Sequence, residues 1–101
     1  MARIVVASTA DADMADIIAY LAAEAGRNTA LKYIELFDAL YQRLSLYPES
    51  CVRRPDLGTD ARVGIVRPFV VIYDYSTAGN IVMVLRILHG QRDINLSLIS
   101  R

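Results

Sequence analysis

The first half of the chain carries apolar residues three and four positions apart, which is the spacing of one helical face. A short apolar run at residues 4–6 comes first; one periodic series then ends at Gly26 and a second at Pro48, which cannot continue a helix. The pattern predicts a short strand and two helices joined by a brief link. The two apolar stripes are Met14, Ile17, Ile18, Leu21, Ala22 and Ala25, and Ala30, Tyr33, Ile34, Phe37, Leu40, Tyr41, Leu44 and Tyr47.

Polar residues at both helix starts favour capping. Ser8 and Thr9 precede the first stripe, and Asn28 and Thr29 precede the second. Side chains of these types accept hydrogen bonds from the unpaired N–H groups of a first helical turn. We therefore expect the first helix to begin near residue 9 and the second to be capped by Asn28 and Thr29.

Three aspartates, Asp11, Asp13 and Asp16, follow in the first predicted helix. Asp11 and Asp13 are two positions apart and diverge on a helix, so no metal site is expected. Negative charge is favourable at the N-terminal end of the helix dipole. We interpret the three aspartates as helix capping and dipole compensation.

Beyond Pro48 the pattern becomes strand-like. Residues 48–60 are rich in proline, glycine and charge, which is typical of a surface loop. Three runs rich in β-branched and aromatic residues follow and predict a meander, and Pro68 indicates an offset or edge start to the second run. The runs are residues 62–66, 69–75 and 81–89, and residues 76–80 form the turn between the last two.

These elements predict a single domain over residues 1–101 with an α+β fold. An N-terminal strand and an antiparallel helical hairpin pack on one face of a mainly antiparallel sheet, which the C-terminal three-stranded meander completes. Residues 81–85 are apolar at consecutive positions, as expected of a central strand covered on both faces. The second covering would come from the apolar C-terminal tail, residues 94–99, or from another chain.

The apolar content points to a partner. Apolar residues make up 54% of the 101 residues and mean hydropathy is +0.31, both high for a domain in water. Leu31, Leu36 and Leu46 fall outside the stripe of the second helix, and form either extra core or a docking face. No apolar run reaches the ~18 residues of a membrane span, and no signal peptide is recognisable. We expect a cytoplasmic protein without membrane contact.

The charge is unevenly distributed between the two halves of the chain, and the cysteine content excludes two kinds of site. Formal net charge is zero, but residues 1–50 hold four Lys/Arg against seven Asp/Glu, whereas residues 51–101 hold seven Arg against four Asp. The single cysteine, Cys51, excludes an internal disulfide and a cysteine-rich zinc site. No cofactor or metal is expected.

The end of the last strand carries the most specific motif, Arg-Ile-Leu-His-Gly-Gln-Arg-Asp at residues 86–93. Together with the order of elements, it resembles the ParE family of the ParE/RelE toxin superfamily over nearly the whole chain. Gln91 departs from the family pattern, in which many relatives carry arginine, and weakens the local basic patch. The resemblance is supported by Pro48, by Gly58 with Arg62, and by Val71, Ile72 and Tyr73.

The resemblance implies the toxin of a type II toxin-antitoxin system, held inactive by a ParD-like antitoxin whose acidic C-terminal segment wraps it. ParE-like members are regarded as DNA gyrase poisons, and RelE-like members as endonucleases that cut mRNA in the ribosome. A third possibility is an inactive module that only binds its antitoxin. DNA contact is expected only through the antitoxin complex.

Cleavage of RNA requires a general base, a general acid and cations, and the candidates for a nuclease are His89, Arg86 and Arg62. His89 alone titrates near pH 7, and it precedes Gly90, where a histidine can instead shape the turn. Arg86 lies in an apolar strand, where it either pairs with Asp93, Asp74 or an antitoxin carboxylate, or contacts the target. This poor inventory favours a binding toxin directed at gyrase. The predicted target-binding residues are Arg86, His89 and Arg92, and the predicted antitoxin-binding residues are Tyr20, Leu31, Leu36, Ile94 and Leu98.

Overall fold

The computed structural model describes residues 1–90 and has the predicted α+β architecture, with two helices against one five-stranded sheet. The helices and three long strands lie where the hydrophobic period placed them, within one or two residues at each end. In chain order the elements are β1 (Arg3–Val6), α1 (Ser8–Ala25), α2 (Arg27–Leu46), β2 (Val52–Arg53), a 3₁₀ turn (Pro55–Leu57), β3 (Ala61–Val66), β4 (Phe69–Ser76) and β5 (Ile81–His89).

The sheet has the strand order β1-β5-β4-β3-β2. Strands β2 to β5 pair antiparallel, and β1 is parallel to β5, with Arg3 opposite Ile81 and Val6 opposite Val84. A parallel pairing needs a long crossover connection, which here contains the helical hairpin and the other strands. The N-terminal strand thus makes β5 a central strand.

A bulge interrupts β5. Ile72 lies opposite Arg86 and the next residue, Tyr73, lies opposite Val84, so Leu85 is the extra residue. An extra residue reverses the alternation of faces beyond it. Val84 before the bulge and Ile87 after it therefore face the same core, and Arg86 is carried to the face away from the helices.

The core lies between α2 and the sheet. Phe37, Leu40 and Leu44 of α2 are at most 3% exposed and pack against strand residues that include Tyr73. The Tyr73 hydroxyl donates a hydrogen bond to the Pro48 carbonyl at 3.0 Å, and burial raises the pKa of this hydroxyl. The last turn of α2 and the loop after it are thereby tied to the sheet.

Neither predicted helix cap forms. Helix α1 begins at Ser8 without a side-chain cap, and Thr9 Oγ1 donates instead to the Leu85 carbonyl at 2.8 Å. Helix α2 begins at Arg27, directly after Gly26, also without a side-chain cap. Gly26 has φ +95°, a conformation that favours glycine, so one residue ends α1 and starts α2. The link is shorter than the sequence suggested, which leaves Asn28 and Thr29 inside the first turn of α2.

The interpretation of residues 48–60 as a loop without regular structure is wrong in part. They contain β2, in which Val52 and Arg53 pair with Val63 and Arg62 of β3, and the 3₁₀ turn. A strand of two residues is too short to show a period of two, so the pattern could not reveal it. Within residues 1–90, neither helix combines the length and the apolar character that crossing a membrane requires.

Candidate functional site

The second half of β5 carries the sequence motif, and Asp13 of α1 binds it. Asp13 Oδ2 accepts hydrogen bonds from Arg86 Nε at 2.7 Å and from the Ile87 backbone N–H at 2.9 Å, and Oδ1 accepts one from Arg86 Nη2 at 3.2 Å. The Asp13 side chain is 17% exposed and that of Arg86 46% exposed. Asp13 is therefore a tertiary contact, and its interpretation as dipole compensation is wrong. The carboxylate partners expected for Arg86 were Asp93, Asp74 or one from an antitoxin, and Asp13 was not among them.

Beyond the end of β1, the start of α1 provides the hydrogen-bond partners for the edge of β5. The backbone N–H of Ala7 donates to the Val84 carbonyl at 2.9 Å, and Thr9 and Asp13 provide the next contacts, with Leu85 and Ile87. Because successive edge groups of β5 are paired in this way, the strand continues at a fixed distance from α1 beyond the end of β1.

His89 and Gly90 close the far end of β5. The His89 ring meets the Phe69 ring edge to face, with centroids 5.7 Å apart, a favourable aromatic geometry. The Gly90 N–H donates to the Pro68 carbonyl at 2.8 Å, and a Cβ at Gly90 would lie 3.0 Å from that oxygen. This close approach explains why glycine follows histidine in the motif.

Arg62 makes contacts that hold neighbouring backbone in place. Its Nη1 donates to the backbone carbonyls of Glu49, at 3.1 Å, and Cys51, at 2.9 Å, and its Nη2 lies 3.6 Å from the Glu49 carboxylate. The side chain is 15% exposed. Arg62 thus fastens the segment before β2 to β3.

The three nuclease candidates do not converge. Arg62 lies opposite Tyr73 and His89 lies opposite Phe69, so four residues of β4, about 13 Å of strand, separate their rows. Arg86 lies on the other face of the sheet. No single phosphate could contact all three side chains in this arrangement.

The predicted antitoxin-binding residues are only partly described, because Ile94 and Leu98, like Arg92 of the predicted target contact, lie outside residues 1–90. Tyr20, Leu31 and Leu36 are 55%, 45% and 41% exposed, which favours a docking face over extra core. Five helical positions turn the chain by about 140°. Leu31 and Leu36 therefore point to different sides of α2 and do not form one groove.

A groove of about 410 Å³ lies between α1 and α2. The sequence did not indicate it, because most of its apolar lining belongs to the two stripes assigned to the core. Tyr41 lines it, and burial, with a further contribution from Asp38 and Asp11, raises the pKa of this tyrosine to about 12. The groove is apolar with two carboxylates. Its lining is Val6, Asp11, Met14, Ala15, Ile18, Ile34, Phe37, Asp38 and Tyr41.

Comparison with known proteins identifies the family. A family model described as "ParE toxin of type II toxin-antitoxin system, parDE" matches residues 4–94. The chain belongs to the ParE toxin family. A solved structure titled "Chromosomal ParDE TA system from P. aeruginosa" is similar to this ParE toxin in fold, with a TM-score of 0.73 and 22% sequence identity over 88% of this chain and 96% of that chain. No curated protein matches significantly. Membership of a ParDE system gives the toxin an antitoxin as partner.

The ParE toxin has another depression, of about 420 Å³, where the start of β3 meets the end of β4 and the turn after it, lined by both acidic and arginine side chains. Burial, and then the charge of Asp60, raise the pKa of the Asp74 carboxyl group above its ordinary value. Among residues 1–90, no three His, Cys, Asp or Glu side chains are grouped as metal ligands would be.

Replacing Asp74 with asparagine is expected to stabilise this ParE toxin at pH 7. A carboxyl whose folded pKa is raised favours the protonated form, so its contribution to stability is present below the unfolded pKa and is lost as pH rises through the folded pKa. The gain should be less than about 1 kcal/mol, because solvent screens a partly exposed charge, and should disappear below about pH 4. Urea unfolding at pH 7 and pH 3.5 measures it; an equal gain at both pH values would contradict the electrostatic cause.

Proposed function

We propose that this ParE toxin arrests growth in the cytoplasm by binding DNA gyrase, without chemistry of its own, and that a ParD-like antitoxin with an acidic C-terminal segment neutralises it. The observation that supports a binding toxin is the separation of Arg62, Arg86 and His89. Concerted general acid-base catalysis needs its groups within hydrogen-bond reach of the same substrate atoms. Arg62 and His89 lie about 13 Å apart along the sheet and Arg86 lies on its other face, so the three groups do not fit that requirement.

The contacts of the motif residues support binding in the same way. The guanidinium of Arg62 is directed at two backbone carbonyls, and the ring of His89 packs on Phe69. Arg86 remains 46% exposed on a strand whose edge is fixed by α1. A cation held on a rigid strand suits recognition of a protein surface. Arg92, the other arginine of the predicted contact, lies outside residues 1–90.

The net charge of zero also favours a protein target. Affinity for a nucleic-acid surface depends on neutralising phosphates with several cations. A chain without net charge gains little from such an approach, and DNA contact would come through the antitoxin complex.

The test is a pair of purified reactions. Toxin is titrated into a gyrase supercoiling assay with relaxed plasmid, and into a purified translation reaction in which mRNA ends are mapped. Supercoiling should be inhibited, antitoxin should restore it, and mRNA should stay intact. Cut mRNA with unaffected gyrase would establish the nuclease, and no effect in either assay, with normal growth on expression, would establish an inactive module.

Replacing His89 with glutamine should leave gyrase inhibition within about threefold of wild type. Loss of a general acid or base typically costs 10²- to 10⁴-fold in rate, whereas glutamine keeps a hydrogen-bonding side chain of similar length. The half-maximal inhibitory concentration measures the effect, with thermal melting and antitoxin binding as controls for folding. A hundredfold loss of toxicity in a variant that passes both controls, together with the disappearance of ribosome-associated mRNA cuts made by the wild type, would refute the binding mechanism.

A further inference from the structure

We infer that Asp13 is a positioning residue, which acts through Arg86 to set the direction in which the guanidinium meets the target. The inference rests on the proposed function, because it takes Arg86 as part of the gyrase contact. It assigns a role in recognition to a helix residue that lies 73 positions before Arg86.

Two hydrogen bonds to Asp13 fix the orientation of the Arg86 guanidinium. Two nitrogens of Arg86, Nε and Nη2, each meet a different oxygen of the Asp13 carboxylate. A planar guanidinium held at two points on one edge cannot rotate about its own axis without breaking a bond. The two hydrogen bonds to Asp13 therefore limit the directions that the guanidinium can take.

The carboxylate is itself fixed to the strand. Oδ2 of Asp13 accepts the Ile87 backbone N–H at 2.9 Å in addition to Arg86 Nε. A residue that only balanced the charge of Arg86 would not need the backbone of the neighbouring residue. Through the hydrogen bond from Ile87, the position of the Asp13 carboxylate, and with it the direction of the guanidinium, is fixed relative to the backbone of β5.

The two side chains of the pair differ in exposure. Asp13 is 17% exposed and Arg86 is 46% exposed. The bulge at Leu85 moves Arg86 to the face away from the helices, and Asp13 reaches it around the edge of β5. An arginine ordered in advance loses less side-chain freedom when a partner binds.

The experiment is a double-mutant cycle on the full-length toxin, with Asp13→Ala, Arg86→Ala and both together. The half-maximal concentration for inhibition of supercoiling is measured per folded molecule, with folded concentration taken from antitoxin titration. Asp13→Ala alone should raise it about tenfold, and should add less than about twofold in the Arg86→Ala background, as expected of residues that act through one contact.

Two further variants keep the test sound if Asp13→Ala folds poorly. Asp13→Asn retains an oxygen for the Ile87 N–H and loses the charge, so its potency should lie between those of wild type and Asp13→Ala. Asp16→Asn, the same change at an exposed aspartate of α1, should match wild type. If Asp13→Ala and Arg86→Ala lower potency independently, or if Asp13→Asn matches wild type, the positioning role is wrong.

Failure of the proposed function gives a different result. A wild-type toxin that arrests growth but leaves gyrase unaffected would refute gyrase as the target. The double-mutant cycle is then repeated with growth arrest as the measured effect. Additive losses of growth arrest from Asp13→Ala and Arg86→Ala would refute positioning by Asp13, whichever target is involved.

Discussion

Replacing Phe37 with alanine is expected to lower the free energy of unfolding by about 3–5 kcal/mol. Phe37 is 1% exposed, and its ring lies 5.9 Å from that of Phe69, so alanine removes apolar contacts and leaves a cavity between α2 and the sheet. A domain of this kind has only about 5–15 kcal/mol of stability in total. We therefore expect a large loss of folded toxin, and with it of growth arrest.

Urea unfolding followed by circular dichroism measures this change. The matched control is Leu36→Ala on the same helix, since Leu36 is 41% exposed and should cost less than about 1 kcal/mol. Equal losses for the two variants would contradict the assignment of Phe37 to the core.

Replacing Arg62 with alanine is expected to cost about 2–3 kcal/mol of stability while leaving gyrase inhibition per folded molecule unchanged. The change removes two charge-assisted hydrogen bonds, to the carbonyls of Glu49 and Cys51. A hydrogen bond of a charged group contributes about 1.5–3 kcal/mol net, and water replaces part of it at a side chain that is 15% exposed. The segment before β2 should then detach more easily from β3.

Thermal melting, antitoxin titration and the supercoiling assay together give the answer. Arg53→Ala provides the control, because Arg53 is exposed and donates one hydrogen bond, to the Thr59 carbonyl at 3.2 Å. An Arg62→Ala toxin with unchanged melting but no activity would show that Arg62 contacts the target or takes part in chemistry.

The sequence predicted those elements of the fold in which apolar residues recur at a regular spacing. The apolar stripes located both helices, and the β-branched runs located β3, β4 and β5, since burial on one or both faces leaves a repeat of 3.6 or of two. Strand β2 has two residues and could show no repeat. The parallel partner of β1 was also beyond prediction, because pairing over such a separation depends on the whole chain.

The candidate site was predicted only in part, for a related reason. The motif at residues 86–93 pointed to β5 through family resemblance. Asp13 was misread because an aspartate in the first turns of a helix already has a local explanation, and nothing near it in sequence indicates an arginine 73 residues away. The sequence left Leu31 and Leu36 open between core and docking face; both are exposed, and helical rotation separates them.

The parallel pairing of the first strand with the last has a consequence for synthesis. Arg3 pairs with Ile81, 78 residues later, and contacts of such long range slow folding because the intervening loop must close first. At about 5–20 residues per second, a nascent chain waits several seconds before β1 can find its partner. Asp13 likewise meets Arg86 only after β5 has left the ribosome. The β1–β5 pair therefore cannot form until residues 81–89 have been translated, which would give antitoxin already present the first opportunity to bind the toxin.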